Sequence, residues 1–210
     1  MIYRSLSIIG LVCLFANCSE FGSSSAKAVN TIHPILDNPA LIVLGTVQDA
    51  GSPHIGCNRD CCKDLFGQAD RSRQVVSLGL LDGEGKQYLF EATPDMSSQI
   101  FQLNQYVSNK EQSMPDGIFL THAHIGHYSG LMYLGKEAIN ADQIPVYAMP
   151  RMMSFLKNNG PWSQLVTNQN ISIVELENRR TDTLSNNIYI TPIQVPHRDE
   201  FSETVGYHIE

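Results

Sequence analysis

A group of histidines in the middle of the chain has the residue types and spacing of a metal site. His122, His124 and His127 lie within six residues, directly after a short apolar segment that is typical of a buried strand. Side chains two residues apart point to the same side of an extended chain, and His127 follows where the chain turns towards a helix. Neutral imidazole is a common ligand for zinc and also suits iron. The pattern therefore predicts a metal centre at the end of a strand.

A further histidine from elsewhere would complete a three-ligand site that keeps one position open for chemistry. His197 is the best candidate, because it directly follows a predicted strand. His33, His54 and His208 are weaker candidates, since they lie near the N-terminal tail, beside the cysteines and in the last predicted strand. An open position on zinc favours activation of water, whereas three imidazoles with open positions also suit ferrous iron and oxygen chemistry.

The cysteines form a second cluster, at residues 54–62. Cys57, Cys61 and Cys62 cannot all pair with one another, and the adjacent Cys61 and Cys62 are poorly placed for a disulfide. With His54 three residues ahead, the favoured interpretation is a knuckle that holds a structural zinc ion. A disulfide and free thiols are the alternatives, and an oxidising location outside the cytoplasm would favour the disulfide.

Residues 1–28 have the pattern of an export signal followed by a tether. Arg4 precedes an apolar segment at residues 6–16, which is too short to cross a bilayer but suits a secretory signal. Cys18 then follows in a degenerate lipobox, which predicts a lipoprotein of the cell envelope, anchored to the membrane through a lipid on Cys18. Cleavage after Ala28, which would release a soluble periplasmic protein, is the alternative, and a first core strand is disfavoured by the three serines at 23–25.

The acidic net charge of the chain argues against one class of partner, nucleic acid. Fourteen basic side chains stand against 21 acidic ones, a formal net charge of −7. Nucleic acid is therefore not expected as a partner, because there is no basic surplus to neutralise phosphates. With 42% apolar residues, the chain is also too apolar for a disordered protein. A small-molecule substrate is the expectation.

The remaining pattern predicts the elements that position these residues. Short apolar segments alternate with helical periodicities, which favours a layered α/β fold, and the segment 82–85 predicts a hairpin turn. The predicted strands are 41–47, 75–81, 87–91, 117–121, 145–148, 171–176, 187–195 and 204–209, and the predicted helices are 95–107, 128–139 and 150–156.

The histidine motif and two flanking motifs resemble the metallo-β-lactamase superfamily. Residues 121–127 are similar to its His-x-His-x-Asp-His motif, residues 93–95 to its first motif, and residues 195–197 to its third. Together with the cysteine cluster, these features look most like the branch that contains coenzyme PQQ biosynthesis protein B and related phosphodiesterases. The resemblance implies an αββα sandwich over residues 38–210. This chain would hold its N-terminal two-thirds, and the sandwich would be incomplete at the C-terminus.

The resemblance also implies roles for individual residues. His122, His124 and His197 would bind a first metal ion, His127 would bind a second, and Asp95 would support the metal loop and help to position water. Two departures reduce the second site: Gly126 stands where the superfamily has aspartate, and the superfamily's later ligands would lie after Glu210. One zinc ion is therefore the expectation at this site, with a second ion or iron as alternatives.

Three functions follow from these observations. The favoured one is a metal-dependent hydrolase that acts on an ester-type or phosphodiester-type substrate. The second is an iron-dependent, oxygen-using enzyme like PQQ biosynthesis protein B. The third is a non-catalytic metal-binding protein of the cell envelope, in which the substitution at Gly126 marks a decayed site.

Overall fold

The computed structural model describes residues 33–108 and 114–210. The predicted export signal, the tether at residues 1–28 and Cys18 lie outside the described residues. Among the residues that the structure describes, no helix is both long and apolar enough to span a lipid bilayer. The described part of the chain forms two β-sheets and a set of short helices.

The larger sheet has six strands in chain order, β1 to β6. Strands β1 to β3 are antiparallel, and β3 to β6 are parallel. The hairpin turn predicted at 82–85 joins β2 to β3 and is confirmed, with Asp82 accepting hydrogen bonds from the amides of Glu84 and Lys86. The six strands are Ala40–Gly45, Ser77–Leu81, Gln87–Phe90, Gly117–Phe119, Ile144–Ala148 and Ile171–Glu175.

A smaller sheet of three antiparallel strands packs against one face of the larger sheet. Its strands are β7 (Asp182–Ser185), β8 (Ile188–Gln194) and β9 (Val205–Ile209). Alternation along β3 explains the layering, because Tyr88 and Phe90 contribute to the core between the sheets whereas Leu89 contributes to the core under the helices.

The helices cover the opposite face of the larger sheet. They are α1 (Met96–Leu103), α2 (Ile125–Tyr128), α3 (Pro150–Asn158) and α4 (Trp162–Thr167). The layers are therefore helices, large sheet and small sheet. This is the mixed α/β arrangement that the sequence predicts, although the second helical layer of an αββα sandwich is not found within 33–108 and 114–210.

The helix predicted at 128–139 is wrong in type and length. The chain instead forms the single turn α2 and then a 3₁₀ segment at Ser129–Leu134. Gly130 explains the change, because its amide donates to the carbonyl of Ala92 (2.8 Å) and a Cβ there would overlap the carbonyl oxygen of Thr93. Gly130 thus packs directly against the β3–α1 loop. This contact holds the segment in a 3₁₀ conformation, and a regular α-helix does not form.

One strand and one α-helix were missed by the sequence patterns. Strand β7 has the sequence Asp-Thr-Leu-Ser and lies at a sheet edge, so it has only Leu184 as a buried residue. Helix α4 has six residues, which is too short for a 3.6-residue period to be detected.

Candidate metal centre

Three of the predicted ligands converge at one edge of the large sheet. The ligand atoms of His122, His124 and His197 all lie within 4.8 Å of one another. His122 and His124 lie between β4 and α2, and His197 comes from the β8–β9 connection. The structure thus brings together side chains that are more than 70 residues apart, as the sequence predicts.

Hydrogen bonds from the β8–β9 side hold the histidine segment in place. The amide of Val205 donates to the carbonyl of Thr121 (3.1 Å), and the amide of Ala123 donates to the hydroxyl of Ser202 (2.8 Å). The hydroxyl of Tyr207 donates to the carbonyl of Leu120 (2.6 Å). These bonds hold residues 120–123 against the β8–β9 side, so the imidazoles of His122 and His197 are brought together by the fold itself.

The first imidazole is buried and oriented towards the cluster. Nδ1 of His122 is 2.8 Å from the hydroxyl oxygen of Thr121, and its Nε2 is 2.8 Å from Nδ1 of His124. Burial and, to a smaller extent, the neighbouring imidazoles of His127, His124 and His197 together lower the pKa of His122 to about 4, against an opposing effect of Asp49. His122 is therefore neutral near pH 7, which is the form that binds a metal.

His127 lies beside this trio in a different electrostatic environment. Its ring centroid is 4.3 Å from that of His122, and its Nδ1 is 3.5 Å from Oε2 of the buried Glu91. Burial acts to lower the pKa of His127, but the contact with Glu91 and the charge of Asp49 outweigh it, so the pKa is raised. The surroundings of His127 therefore favour a positive charge.

Glu91 was not identified from the sequence, although the structure gives it a special position. It is 5% exposed and has a φ of 75°, a left-handed conformation that is uncommon for a residue with a side chain. Such strain costs roughly 1–3 kcal/mol and concentrates at functional sites. Here the carboxylate contacts Nδ1 of His127, so Nε2 is the nitrogen of His127 that is left for a metal ion.

A cavity of about 330 Å³ lies next to His127 and Glu91. Its other walls are mostly apolar, including Leu78, Phe90 and Tyr207. Burial and the charge of Glu91 raise the pKa of Tyr207, so its hydroxyl stays protonated and donates to Leu120. Because this cavity is mostly apolar, burial beside it disfavours the charged form of His127. The carboxylates of Glu91 and Asp49 outweigh that effect.

Asp95, predicted to support the metal loop, has a positioning contact in the structure. Its Oδ2 accepts a hydrogen bond from the amide of Val75 (2.8 Å), at the start of α1. Gln99 donates to the carbonyl of the same residue (2.7 Å). Asp95 therefore fastens the segment before β2 to α1, and its direct participation in chemistry stays a prediction.

The cysteine cluster contains a disulfide in place of the favoured metal knuckle. The Sγ atoms of Cys57, Cys61 and Cys62 lie within 4.8 Å of one another, but Cys57 and Cys62 are bonded and Cys61 is free and exposed. Two turns bring the bonded pair to a Cα–Cα distance of 6.2 Å, within the range of disulfides. Sulfur atoms joined in this way cannot bind a metal as thiolates. His54, predicted as the fourth ligand, lies outside the group, with its Nδ1 3.0 Å from the carbonyl of Ile55.

A second acidic residue missed by the sequence analysis holds helix α3 beside the site. The carboxylate of Glu203, which is 8% exposed, accepts hydrogen bonds from the backbone amides of Arg151 (3.0 Å) and Met152 (3.3 Å). Glu203 follows Ser202, so one short segment fixes both the start of α3 and the histidine segment. No spacing in the sequence connects Glu203 with a helix start 52 residues earlier.

The donor set fits a metal ion on its own chemistry. Three imidazoles from two loops, with His122 held neutral by burial, match a tetrahedral site with an open position.

A family model described as a beta-lactamase superfamily domain matches residues 86–210, which is more than half of the chain. The chain belongs to this superfamily.

Solved structures show the same fold. The zinc-bound PqqB of Methylobacterium extorquens is similar with 20% identity and a TM-score of 0.66. A diphosphatase of the PhnP family is similar with 22% identity and a TM-score of 0.58. Each alignment covers 81% of this chain and 61% of the solved chain. These similarities confirm the predicted metallo-β-lactamase fold near PqqB.

Curated relatives agree with this placement. The coenzyme PQQ synthesis protein B of Rhodopseudomonas palustris strain TIE-1 is 26% identical over 128 residues, which are 60% of this chain and 40% of that protein. Its counterpart in strain BisB5 is 24% identical over the same length. The chain spans about 40% of the length of the curated relatives that it matches.

Proposed function

We propose that the protein is a metal-dependent hydrolase that acts on a small ester-type or phosphodiester-type substrate. The observation that carries the proposal is the convergence of the ligand atoms of His122, His124 and His197 within 4.8 Å. Zinc is the expected ion, because three imidazoles suit it and because a similar solved structure is zinc-bound PqqB. When bound there, zinc would supply a Lewis acid that polarises the scissile group and activates water.

The chain's own residues would do the remaining work. His122, His124 and His197 would hold the ion and leave one position open to substrate. Glu91 would orient the imidazole of His127 through their 3.5 Å contact. Asp95 would act at a distance from the reacting atoms, by fastening the segment at Val75.

The test is turnover of p-nitrophenyl acetate and bis(p-nitrophenyl) phosphate by the zinc-loaded and the chelated protein. We expect His197→Ala to lower kcat/KM at least a hundredfold, since two imidazoles hold an ion poorly. His208→Ala is the matched control, because His208 is exposed on β9 and lies outside the metal group. Activity in His197→Ala equal to that of wild type would refute the proposal. The absence of turnover in zinc-loaded wild type would favour the non-catalytic metal-binding protein.

A second function is favoured by the similarity to coenzyme PQQ synthesis protein B. Under this proposal the same three imidazoles would hold iron for an oxygen-using reaction. Protein loaded anaerobically with ferrous iron should then consume oxygen, whereas zinc-loaded protein should not. Metal analysis of protein purified from cells separates the two functions further, by showing whether iron or zinc fills the site.

The proposal extends to location and partners. An exported protein of the cell envelope, held at the membrane by a lipid on Cys18, is supported by the pattern of residues 1–28. The disulfide between Cys57 and Cys62 supports an oxidising location of that kind. The net charge of −7 supports a small molecule rather than nucleic acid as the partner.

A further inference from the structure

Gly126 looks like the loss of a ligand in the sequence, but in the structure it makes room for another residue. A Cβ on Gly126 would overlap the Cβ of Asp49 and would lie 2.7 Å from its carbonyl oxygen and 2.9 Å from its Cα. Asp49 therefore occupies the space into which a side chain at position 126 would begin. Glycine at 126 is required by this contact, since any larger residue would displace the turn that contains Asp49.

A network of backbone hydrogen bonds holds Asp49 at that place. The amide of Val47 donates to the carbonyl of Gln74 (3.0 Å), and the amide of Val76 donates to the carbonyl of Val47 (2.8 Å). The next residues form a turn in which the amide of Gly51 donates to the carbonyl of Gln48 (2.9 Å). Since Asp95 and Gln99 hold Val75 in turn, the position of Asp49 is tied to helix α1.

The other side of the contact is fixed as well. The amide of Ala92 donates to the carbonyl of His127 (2.9 Å), and the amide of His127 donates to the carbonyl of His124 (2.9 Å). Because Gly126 directly precedes His127, the contact of Asp49 with position 126 puts Asp49 beside the backbone of the His127 segment. The charge of Asp49 also acts to raise the pKa of both His122 and His127. The turn therefore places a half-buried aspartate next to the part of the cluster that contains His127.

We propose that Asp49 supplies the carboxylate that Gly126 lacks, and that Asp49 and His127 together bind a second divalent cation beside the first site. The inference rests on the proposed first site of His122, His124 and His197. Imidazole together with carboxylate suits zinc, iron or manganese. With two protein ligands, against three at the first site, the second cation binds more weakly than the first.

Titration of the metal-free full chain with zinc chloride, against a chromophoric chelator, tests the proposal. Every variant carries Cys61→Ser, and reductant is omitted so that the disulfide stays closed and no free thiolate from the cysteine cluster binds zinc. Asp49→Asn is the main variant, because the amide keeps the shape and the Cβ contact with Gly126 while it removes the charge. Asp142→Asn is the matched control, since Asp142 is an exposed aspartate.

We expect wild type and Asp142→Asn to bind two equivalents of zinc. In Asp49→Asn the second equivalent should bind at least tenfold more weakly, while the affinity for the first stays within twofold. Elemental analysis after equilibrium dialysis should then show about one zinc per chain in this variant. Asp49→Ala, which also keeps the Cβ, should give the same result if Asp49→Asn folds poorly.

The outcomes separate this inference from the proposed function. If Asp49→Asn binds two equivalents with wild-type affinities, or if wild type binds a single equivalent, the role of Asp49 is refuted and the first site stands. If wild type binds no zinc, both the second site and the proposed hydrolase are refuted.

Discussion

Replacement of Gly126 by alanine tests whether the turn at Asp49 is packed against the histidine segment. Helix propensity alone predicts a gain in stability, because alanine is favoured over glycine inside a helix by about 1 kcal/mol. The structure predicts a loss, because the added Cβ would overlap the Cβ of Asp49 and would lie 2.7 Å and 2.9 Å from two of its backbone atoms. The two arguments differ in sign, so one measurement decides between them.

The size of the loss follows from what can move. A side-chain contact alone could be relieved by a change of rotamer, but the carbonyl oxygen and Cα of Asp49 can move only with the turn. The hydrogen bonds between Val47 and the segment 74–76 resist that movement. Insertion of a carbon into a packed site costs about 1–3 kcal/mol, and the contacts with backbone atoms place this one in the upper part of that range, at about 2–3 kcal/mol. After the gain in propensity of about 1 kcal/mol, we expect a net loss of about 1–2 kcal/mol. For a domain of this size, that lowers Tm by about 2–8 °C.

The assay is thermal and urea unfolding of the metal-free protein in chelator, so that a change in metal affinity does not enter. Gly67→Ala is the control, because Gly67 is exposed and the nearest atom to its added Cβ is the carbonyl oxygen of Asp64 at 3.8 Å. This variant should match or exceed wild type. A Tm of Gly126→Ala at or above that of wild type would show that Asp49 is not packed there, and the argument for Asp49 as a ligand would fail with it.

Three further outcomes can be measured on single variants. Glu203→Gln should lower the free energy of unfolding by about 1–2 kcal/mol in urea, because it removes the negative charge at the N-terminus of α3, whereas the exposed Glu177→Gln should leave it unchanged. Cys57→Ser should cost about 2 kcal/mol, since the disulfide closes a loop with a sequence separation of 5, and a chelator should not reproduce this loss as it would for structural zinc. Cys18→Ala should move the protein from the membrane fraction to the soluble fraction of a Gram-negative host, and an unchanged membrane fraction would contradict the lipid anchor.

The fold and the convergence of three imidazoles could be predicted largely because their signals are local. Apolar segments of four to seven residues mark the strands, and the spacing of His122 and His124 places both at the end of β4. His197 could be added because it also follows a strand, and strand ends in a layered fold meet at a few edges. These inferences need only periodicity and the position of a residue relative to an element.

The carboxylates around the site could not be predicted, because their partners are distant in the sequence. Asp49 lies more than 70 residues before His127, and their proximity depends on the pairing of β1 with β2 and on the contacts between Val47 and the segment at Val75. Glu91 is likewise placed by an unusual backbone conformation, which residue type does not reveal. The cysteines show a related limit, because the same spacing suits a knuckle or a disulfide until the turns are known.

His122 and His127 lie in the same cluster, but their surroundings favour different charges. The difference follows from the placement of the carboxylates. His122 is buried among other imidazoles, which favours its neutral form, the form that can share a cation with His124 and His197. His127 faces Glu91 on one side and the charge of Asp49 on another, within partly apolar surroundings. A buried carboxylate and a half-buried one at the same place are costly unless a positive charge accompanies them. Because Gly126 admits the turn that brings the second carboxylate, the residue that breaks the superfamily motif is also the one that makes the surroundings of His127 acidic.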